Sequence, residues 1–165
     1  MLEINPVQVT LEPHEFHAAV NSALLQVTCS SLDRRDHTYT MKRSKLGVLN
    51  HSIIGSIGEM AFAKFADRFF IQDVNAFHKR PDCFEDIEVR CSDKNLTLIT
   101  RNDDDTSRKY VKVMTNGSKA LIVGWLYGSE TRKPEFFHSS EGKRDCWMTP
   151  HSHLKDPRTI FDQPF

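Results

Sequence analysis

The sequence predicts an α/β or α+β domain, in which two helices precede the strands of a single sheet. Apolar residues recur at helical spacing up to about Phe69, whereas after Pro81 they alternate with polar residues. The chain has 165 residues, of which 39% are hydrophobic and 27% charged. This size and composition suit one globular domain with a substantial core, so we expect a single domain over residues 1–165.

Two segments have the spacing of a helix. The first covers residues 13–29, where Pro13 suits the first helical turn. The second covers residues 52–69 and has two neighbouring apolar stripes, so most of its surface should be buried. Gly58 lies inside the second helix at a cost of about 1 kcal/mol relative to alanine. That cost suggests that the helix packs closely against another element at this point.

The second half of the chain has the period of strands. Ile87, Val89 and Cys91 alternate with charged residues, which predicts a half-buried strand. A turn at 92–95 leads to a second strand at 96–100. Asn116-Gly117 predicts the turn of a hairpin between strands at 110–114 and 120–127. We further expect a short helix at 129–137, an edge strand at 146–148, and an irregular tail from about residue 150.

Charge and hydropathy exclude several classes of protein. Lysine and arginine total 22, as do aspartate and glutamate, so the chain does not resemble a protein that coats polyanions. No apolar run approaches the roughly 18 residues of a membrane span, and the N-terminus does not resemble a secretory signal. Nucleotide-binding glycine loops and the Gly-x-Ser-x-Gly motif are also missing from the sequence. We expect a soluble, cytoplasmic domain.

The four cysteines and the nearby histidines are possible metal ligands. The cysteines are far apart in sequence, and we expect reduced, mostly buried thiols. Cys146, His151 and His153 lie close together, but their spacing fits no familiar zinc template. Surface histidines near the C-terminal tail are the interpretation that we favour, and structural zinc is not expected.

A basic segment at 33–45 is a candidate surface for nucleic acid. It carries five basic residues against two acids and breaks the helical pattern, so we expect a loop. Its cations could follow a phosphate backbone, with Tyr39 available for stacking, and the alternative is a solvated loop. The basic residues are Arg34, Arg35, Lys42, Arg43 and Lys45.

Glu59 is the most informative single residue. It is the only acid between residues 51 and 66, and it shares a helical face with Gly55, Phe62 and Ala63. A carboxylate on an apolar face needs a cationic partner, a metal ion or a proton. One alternative is therefore a glutamate at the rim of the core that pairs with an arginine such as Arg90.

A second acidic group is formed by Asp82 and the strand residues that follow it. Period 2 puts Glu88 and Arg90 on one face of the predicted strand, and Asp82 precedes the strand closely enough to approach them. Carboxylate oxygens that converge with Glu59 would suit Mg²⁺ or Mn²⁺. The alternative is an exposed strand face with a cross-strand ion pair.

The order of these motifs resembles a known superfamily. A helix with Gly-Glu-x-Ala-Phe-Ala-Lys-Phe, then Pro-Asp, then Ile-Glu-Val-Arg before a turn is similar to the restriction-endonuclease-like PD-(D/E)xK nucleases. It also resembles small phage-encoded proteins that continue with Leu-Ile-x-Arg…Asp, Tyr-Val-x-Val and Ile-x-Gly-Trp segments, which this chain has at 98–103, 110–113 and 122–125. The resemblance spans about residues 50–155 and implies a mixed central sheet flanked by helices.

The resemblance also implies a site. Asp82 and Glu88 would be ligands of Mg²⁺ or Mn²⁺, and Glu59 would be the helix acid that binds the metal directly or through water. Arg90 stands where the superfamily has lysine; it cannot act as a base but can bind a phosphate. Lys112, on a later strand, is a further candidate cation near the site. The run 103–105, Asp-Asp-Asp, is a weaker metal candidate that we expect to be a solvated loop.

Two functions follow from the resemblance. The first is a metal-dependent phosphodiesterase that acts on DNA, of phage origin, with Glu59, Asp82, Glu88 and Arg90 as its catalytic residues. The second is a nuclease-fold protein that has lost catalysis and binds DNA or a host or phage protein. A homodimer is compatible with either function, and no membrane partner is expected.

Overall fold

The computed structural model describes residues 5–32, 45–70, 82–83, 86–142 and 144–162. Its α-helices are α1 (Pro13–Leu32), α2 (Lys45–Phe65) and α3 (Gly128–Thr131). Its strands are β1 (Val7–Thr10), β2 (Ile87–Ser92), β3 (Leu98–Arg101), β4 (Lys109–Asn116), β5 (Lys119–Tyr127), β6 (Phe137–His138) and β7 (Cys146–Thr149). Short 3-10 helices cover Pro134–Phe136, His151–His153 and Pro157–Phe161. The predicted α+β class is confirmed.

Both long helices are where the spacing predicts them, but their ends differ. Helix α2 begins at Lys45, well before the predicted residue 52, because Leu46, Val48 and Leu49 already continue the helical pattern. It ends at Phe65 instead of residue 69, because Asp67 adopts a left-handed φ of 53°. The N–H of Arg68 then bonds to the carbonyl of Ala63 at 2.9 Å, an arrangement that closes a helix C-terminus.

A four-stranded mixed sheet forms the centre of the fold, with the strand order β1-β5-β4-β2. Strand β2 runs parallel to β4, whereas β4–β5 and β5–β1 are antiparallel pairs. The predicted hairpin is confirmed, and its turn uses Gly117 at φ +60°, a conformation that favours glycine. Strand β1 was not predicted from the sequence. Within the described residues, β2 lies at one edge of this sheet.

A second sheet corrects the prediction of a single one. Strands β3, β7 and β6 form a separate three-stranded sheet in the order β3-β7-β6. Strand β7 is therefore central, and its prediction as an edge strand is wrong, because it pairs on one side with β3 and on the other with Phe137–His138.

The four-stranded sheet separates two apolar layers. Ile57, Ala61 and Phe62 of α2 pack with Ile87 and Val111 on one face. On the other face, Leu98, Tyr110, Val123, Leu126 and Leu154 form a smaller cluster. The described helices α1 and α2 thus belong to one face, together with Ile160 near the end of the described chain, whereas β3 and Leu154 belong to the other. The finer restriction-endonuclease-like arrangement stays a prediction.

The C-terminal segment is packed, although we expected an irregular tail. Ile160 is fully buried, and the ring of Phe161 stacks on Phe62 with centroids 6.5 Å apart. Arg158 also donates a hydrogen bond of 2.9 Å to the carbonyl of Asn5. These contacts join the end of the described chain to α2 and to the residues before β1.

The helices and the cysteines were also the subject of expectations from the sequence. Across the described ranges, none of the helices combines the length and apolar character needed to cross a bilayer. Cys29, Cys83, Cys91 and Cys146 are free thiols, as expected. Cys83 is buried and the other three are half-buried.

Candidate functional site

Close packing of α2 against β2 positions Glu59. A Cβ atom on the preceding Gly58 would lie 2.5 Å from Cys91 Sγ and 2.7 Å from Cys91 Cβ. Only glycine allows the helix to approach the strand this closely, which confirms the packing role predicted for Gly58. Glu59, the next residue, is half-buried in this contact region.

Asp82 is held at the edge of the sheet by the strand that it precedes. Cys83 and Ile87 exchange backbone hydrogen bonds of 3.1 and 3.2 Å, which turns the chain back on itself before β2. The Asp82 Oδ2 atom then accepts a hydrogen bond of 2.7 Å from the backbone N–H of Val89. By surface area the residue as a whole is exposed, yet this contact fixes its carboxyl group against β2.

Glu88 is held by an arginine that the sequence analysis did not identify. The alternation along β2 puts Ile87 and Val89 in the helix-side core and Glu88 on the opposite face. There, Glu88 Oε1 forms an ion pair with Nη1 of Arg108, the residue immediately before β4. Both side chains are largely buried, with 13% of Glu88 and 21% of Arg108 exposed, so water screens this ion pair weakly.

Glu59 and Asp82 line one cavity of about 290 Å³. The remaining described lining residues are mostly apolar, and they are Ala63, Arg68, Phe69, Phe70 and Cys83. The cavity lies where α2 ends and the chain enters β2. It therefore brings together the helix acid and the first acid of the predicted site.

The acids of this region oppose each other's ionisation. Burial, followed by the charges of Asp82 and Glu88, raises the pKa of Glu59 to about 8. Loss of hydration and the neighbouring Glu88 raise the pKa of Asp82 to about 7. The hydrogen bond from Val89 and the charge of Arg90 act in the opposite direction on Asp82. Glu59 and Asp82 therefore keep their protons to a higher pH than isolated carboxyl groups, in part because neighbouring acids lie close to them.

The three acids are not grouped as ligands of one ion. In the part of the chain that the structure describes, no three histidine, cysteine, aspartate or glutamate side chains form such a cluster. Asp82 Oδ2 and Glu88 Oε1 are already bonded to Val89 and Arg108, respectively. The metal ion therefore stays a prediction, as does the expectation that Cys146, His151 and His153 do not hold structural zinc.

Arg90 forms its ion pair away from the helix acid. Its Nη2 atom lies 2.7 Å from Asp104 Oδ1, and its guanidinium is 5.3 Å from the centroid of the Tyr110 ring. The alternative in which Glu59 pairs with Arg90 is therefore not what the structure has. Asp104 is fixed in turn, because its other oxygen accepts the N–H of Arg101 at 2.8 Å.

The acidic run 103–105 forms ion pairs at the turn between β3 and β4. Asp103 lies 3.3 Å from Arg144, and Asp105 lies 3.7 Å from Arg108. Together with the Asp104–Arg90 pair, these contacts give each acid of the run an arginine partner. Asp103 and Asp105 are exposed, as expected of a solvated loop, whereas the largely buried Asp104 joins the turn to Arg90 of β2.

Lys112 is buried beside Arg90. The two residues are register partners in the parallel β2–β4 pair, and only 3% of Lys112 is exposed. Its Nζ donates a hydrogen bond of 2.6 Å to Ser92 Oγ. Burial lowers the pKa of Lys112 to about 8. Lys112 therefore lies beside the strand that carries Glu88 and Arg90, whereas its position and role at the candidate site stay a prediction.

The predicted nucleic-acid loop lies mainly outside the described residues. Arg34, Arg35, Lys42 and Arg43 fall in the range 33–44, which the structure does not describe. Lys45 is the first residue of α2, and its side chain is likewise outside the description.

Arg108 is the main site residue that sequence reasoning missed. It lies outside the alternating pattern of β4, and its contact with Glu88 depends on the parallel register that pairs Glu88 with Tyr110. No short-range pattern predicts that register. Comparisons of the chain with protein-family models, curated proteins and solved structures gave no match.

Proposed function

We propose that this chain is a Mg²⁺- or Mn²⁺-dependent phosphodiesterase that cleaves DNA, with Glu59, Asp82 and Glu88 as its acidic residues. The observation that carries the proposal is an excess of carboxyl groups around one edge of the sheet. Among the described residues, only Arg108 forms an ion pair with any of these three acids. If all three acids are ionised, Arg108 balances one of their negative charges and two remain without a counter-charge. Protons or a divalent cation can supply this balance.

The donor atoms fit a hard cation, because carboxylate oxygens are the ligands that Mg²⁺ and Mn²⁺ prefer. Asp82 and Glu88 would hold the ion, with Glu59 bound to it directly or through water, after a movement that groups the three side chains. The bound ion would lower the pKa of a water and neutralise charge on a phosphate. The hydrogen bond from Val89 orients Asp82. Arg90, on the strand face of Glu88, supplies a permanent positive charge for the phosphodiester. We place this activity in the cytoplasm of a host cell, with the chain encoded by a phage.

A cleavage assay tests the proposal. Linear, circular, single-stranded and branched DNA are incubated with Mg²⁺, with Mn²⁺, or with a chelator. We expect metal-dependent cleavage that falls by at least about 100-fold in Asp82→Asn and Glu88→Gln, since removal of a key charge-stabilising group has effects of that order. Glu135→Gln is the matched control, because Glu135 is exposed and lies in the 3-10 helix Pro134–Phe136. Cleavage that survives in Asp82→Asn and Glu88→Gln would refute the proposal.

The second candidate is a protein that binds DNA, or a host or phage protein, without cleavage. It is favoured by the structural bonds that already occupy the acids, Asp82 with Val89 and Glu88 with Arg108. Arg90 in place of lysine, paired with Asp104, points the same way. Binding to DNA without cleavage under any metal condition would support this candidate. Sedimentation of the same samples would show whether the chain is a homodimer.

A further inference from the structure

A second cavity lies beside Arg90 and has a different chemical character from the first. It measures about 310 Å³ and is bordered by parts of α2, β2, β3 and β4 and by residues between β2 and β3. Arg90, Arg101 and Lys112 line it, together with the polar side chains of Ser92, Asn95 and Thr97. Three residues with positive side chains therefore border one small space, and no acidic side chain is among its described lining residues.

Lys112 borders this cavity, and its ammonium is buried without a compensating acid among the described residues. No described carboxylate forms an ion pair with it, and its hydrogen-bond acceptor is the neutral hydroxyl of Ser92. Two other acid–base groups without a permanent charge line the cavity, His51 and the thiol of Cys91. Burial raises the pKa of that thiol to about 11, so it stays uncharged at neutral pH. A buried ammonium is costly unless an anion balances it.

Arg90 provides a second donor in the same place. Its Nη2 atom is bonded to Asp104, whereas its buried Nε atom has no hydrogen-bond acceptor among the described residues. The parallel register puts Arg90 and Lys112 side by side on adjacent strands. An ammonium has three donors, of which the bond to Ser92 uses one. Donors thus remain on both residues at the border of one cavity.

We infer that this cavity binds a phosphate group, with Lys112 and Arg90 as its main donors. A phosphate has several oxygens that accept charge-assisted hydrogen bonds, and its negative charge balances the buried ammonium. The ligand is free inorganic phosphate or the phosphate of a nucleotide, which share this chemistry. The binding site shares Arg90 with the proposed catalytic site but involves neither Glu59 nor Asp82, so phosphate binding without metal is tested separately from DNA cleavage.

Calorimetric titration in the presence of a chelator tests the inference without any contribution from bound metal. Inorganic phosphate, a nucleoside 5′-monophosphate and the corresponding nucleoside are titrated separately into the full chain. We expect the first or the second to bind, and whichever binds more tightly identifies the source of the phosphate. Lack of binding by both, or equal binding of the nucleoside, would overturn the inference.

Variants assign the binding to the cavity. Lys112→Met keeps an unbranched chain and removes the charge, and we expect affinity for the phosphate ligand to fall at least about tenfold. Lys119→Met is the matched control, because Lys119 is exposed in the β4–β5 hairpin and should leave affinity unchanged. An equal loss in both variants, or no loss in Lys112→Met, would contradict the assignment.

A measurement on the unaltered chain covers the case in which Lys112→Met does not fold. With lysines labelled at Cε, carbon NMR follows the titration of the buried amine. A bound phosphate favours the charged form, so its addition should raise the pKa of the lysine that titrates lowest. A lysine pKa that does not change under saturating phosphate would refute the inference.

Discussion

The carboxyl of Asp82 accepts a hydrogen bond of 2.7 Å from the backbone N–H of Val89, seven residues further along the chain. Strand β2 lies at the edge of the described four-stranded sheet, so this acid satisfies a donor that no neighbouring strand takes up. Asp82 therefore stabilises the sheet edge in addition to any chemical role. A loss of activity in an Asp82 variant needs a stability measurement beside it.

Replacement of Asp82 by alanine should lower the free energy of unfolding by about 1 kcal/mol, because the N–H of Val89 loses its acceptor. Asp82→Asn should lose less, since the amide oxygen still accepts the bond. Urea unfolding of both variants measures the difference. Asp162→Ala, at an exposed position near the C-terminus, is the control and should match the parent chain. Equal stabilities of Asp82→Ala and the parent would show that the bond contributes nothing.

Stability should fall as the pH rises from about 5 to 8. Glu59 and Asp82 have ordinary pKa values of 4.5 and 3.8, which the fold raises to about 8 and about 7, so both groups bind protons more tightly when folded. Their contribution is complete below the ordinary values and is lost as the pH rises through the raised ones. Urea unfolding at several pH values measures the slope.

The variant Glu59→Gln isolates this pH effect from other titrations. It removes one of the two carboxyls whose pKa the fold raises, so the decline in stability toward pH 8 should become shallower. Glu135→Gln should retain the full slope. If a divalent cation binds the acids, Mg²⁺ should also reduce the decline in the parent chain. A parent chain and Glu59→Gln with identical slopes would contradict the raised pKa values.

Two glycines of α2 should respond in opposite directions to alanine. Gly58→Ala introduces a Cβ that overlaps Cys91, and we expect a loss of about 1–3 kcal/mol together with a displacement of Glu59. A Cβ on Gly55 meets nothing within 4 Å, so Gly55→Ala should gain about 0.5–1 kcal/mol from helix propensity. Thermal unfolding compares the pair. A stabilised Gly58→Ala would mean that the helix does not approach β2 this closely.

The Glu88–Arg108 pair should show a measurable coupling. Glu88→Gln and Arg108→Gln each leave a largely buried partner without its counter-charge, so each single variant should lose about 1–3 kcal/mol of stability. The double variant should lose less than the sum of the two losses, because the second change removes an already unpaired charge. Unfolding of all four proteins in urea gives the coupling. Strictly additive losses would show that the ion pair is not formed.

The sequence predicted those elements whose pattern is local and continuous. The alternation at Ile87, Val89 and Cys91 and the turn glycine at 117 define β2 and the β4–β5 hairpin without information from elsewhere in the chain. Strand β1 was missed because four residues give too short a pattern, and it forms by pairing Val7 with the distant Ile122. The second sheet was missed for a related reason, since β6 contains only two residues.

In the candidate site, too, the local patterns were predictable from the sequence and the long-range contacts were not. Glu59 was recognised as an acid on an apolar helix face, and its predicted neighbours Asp82 and Glu88 do influence its pKa. The arginine partners were not predictable, because Arg108 and Arg90 find Glu88 and Asp104 through strand register and the turn after β3. Residue spacing specifies which side chains share a face, whereas the choice of partner depends on neighbouring strands.

Strand β5 pairs along one edge with residues from both the N-terminal and the C-terminal part of the chain, and this affects the order in which the fold assembles. Val7–Thr10 pairs with its first half, and Lys155 forms a bridge with Trp125 further along the same edge. During synthesis on a ribosome, that edge cannot be fully covered until residue 155 has emerged. The contact of Phe161 with Phe62 of α2 likewise cannot form before residue 161 has emerged. We therefore expect a nascent chain to expose apolar surface until translation has passed this region, so that stalled or shortened chains depend on chaperones.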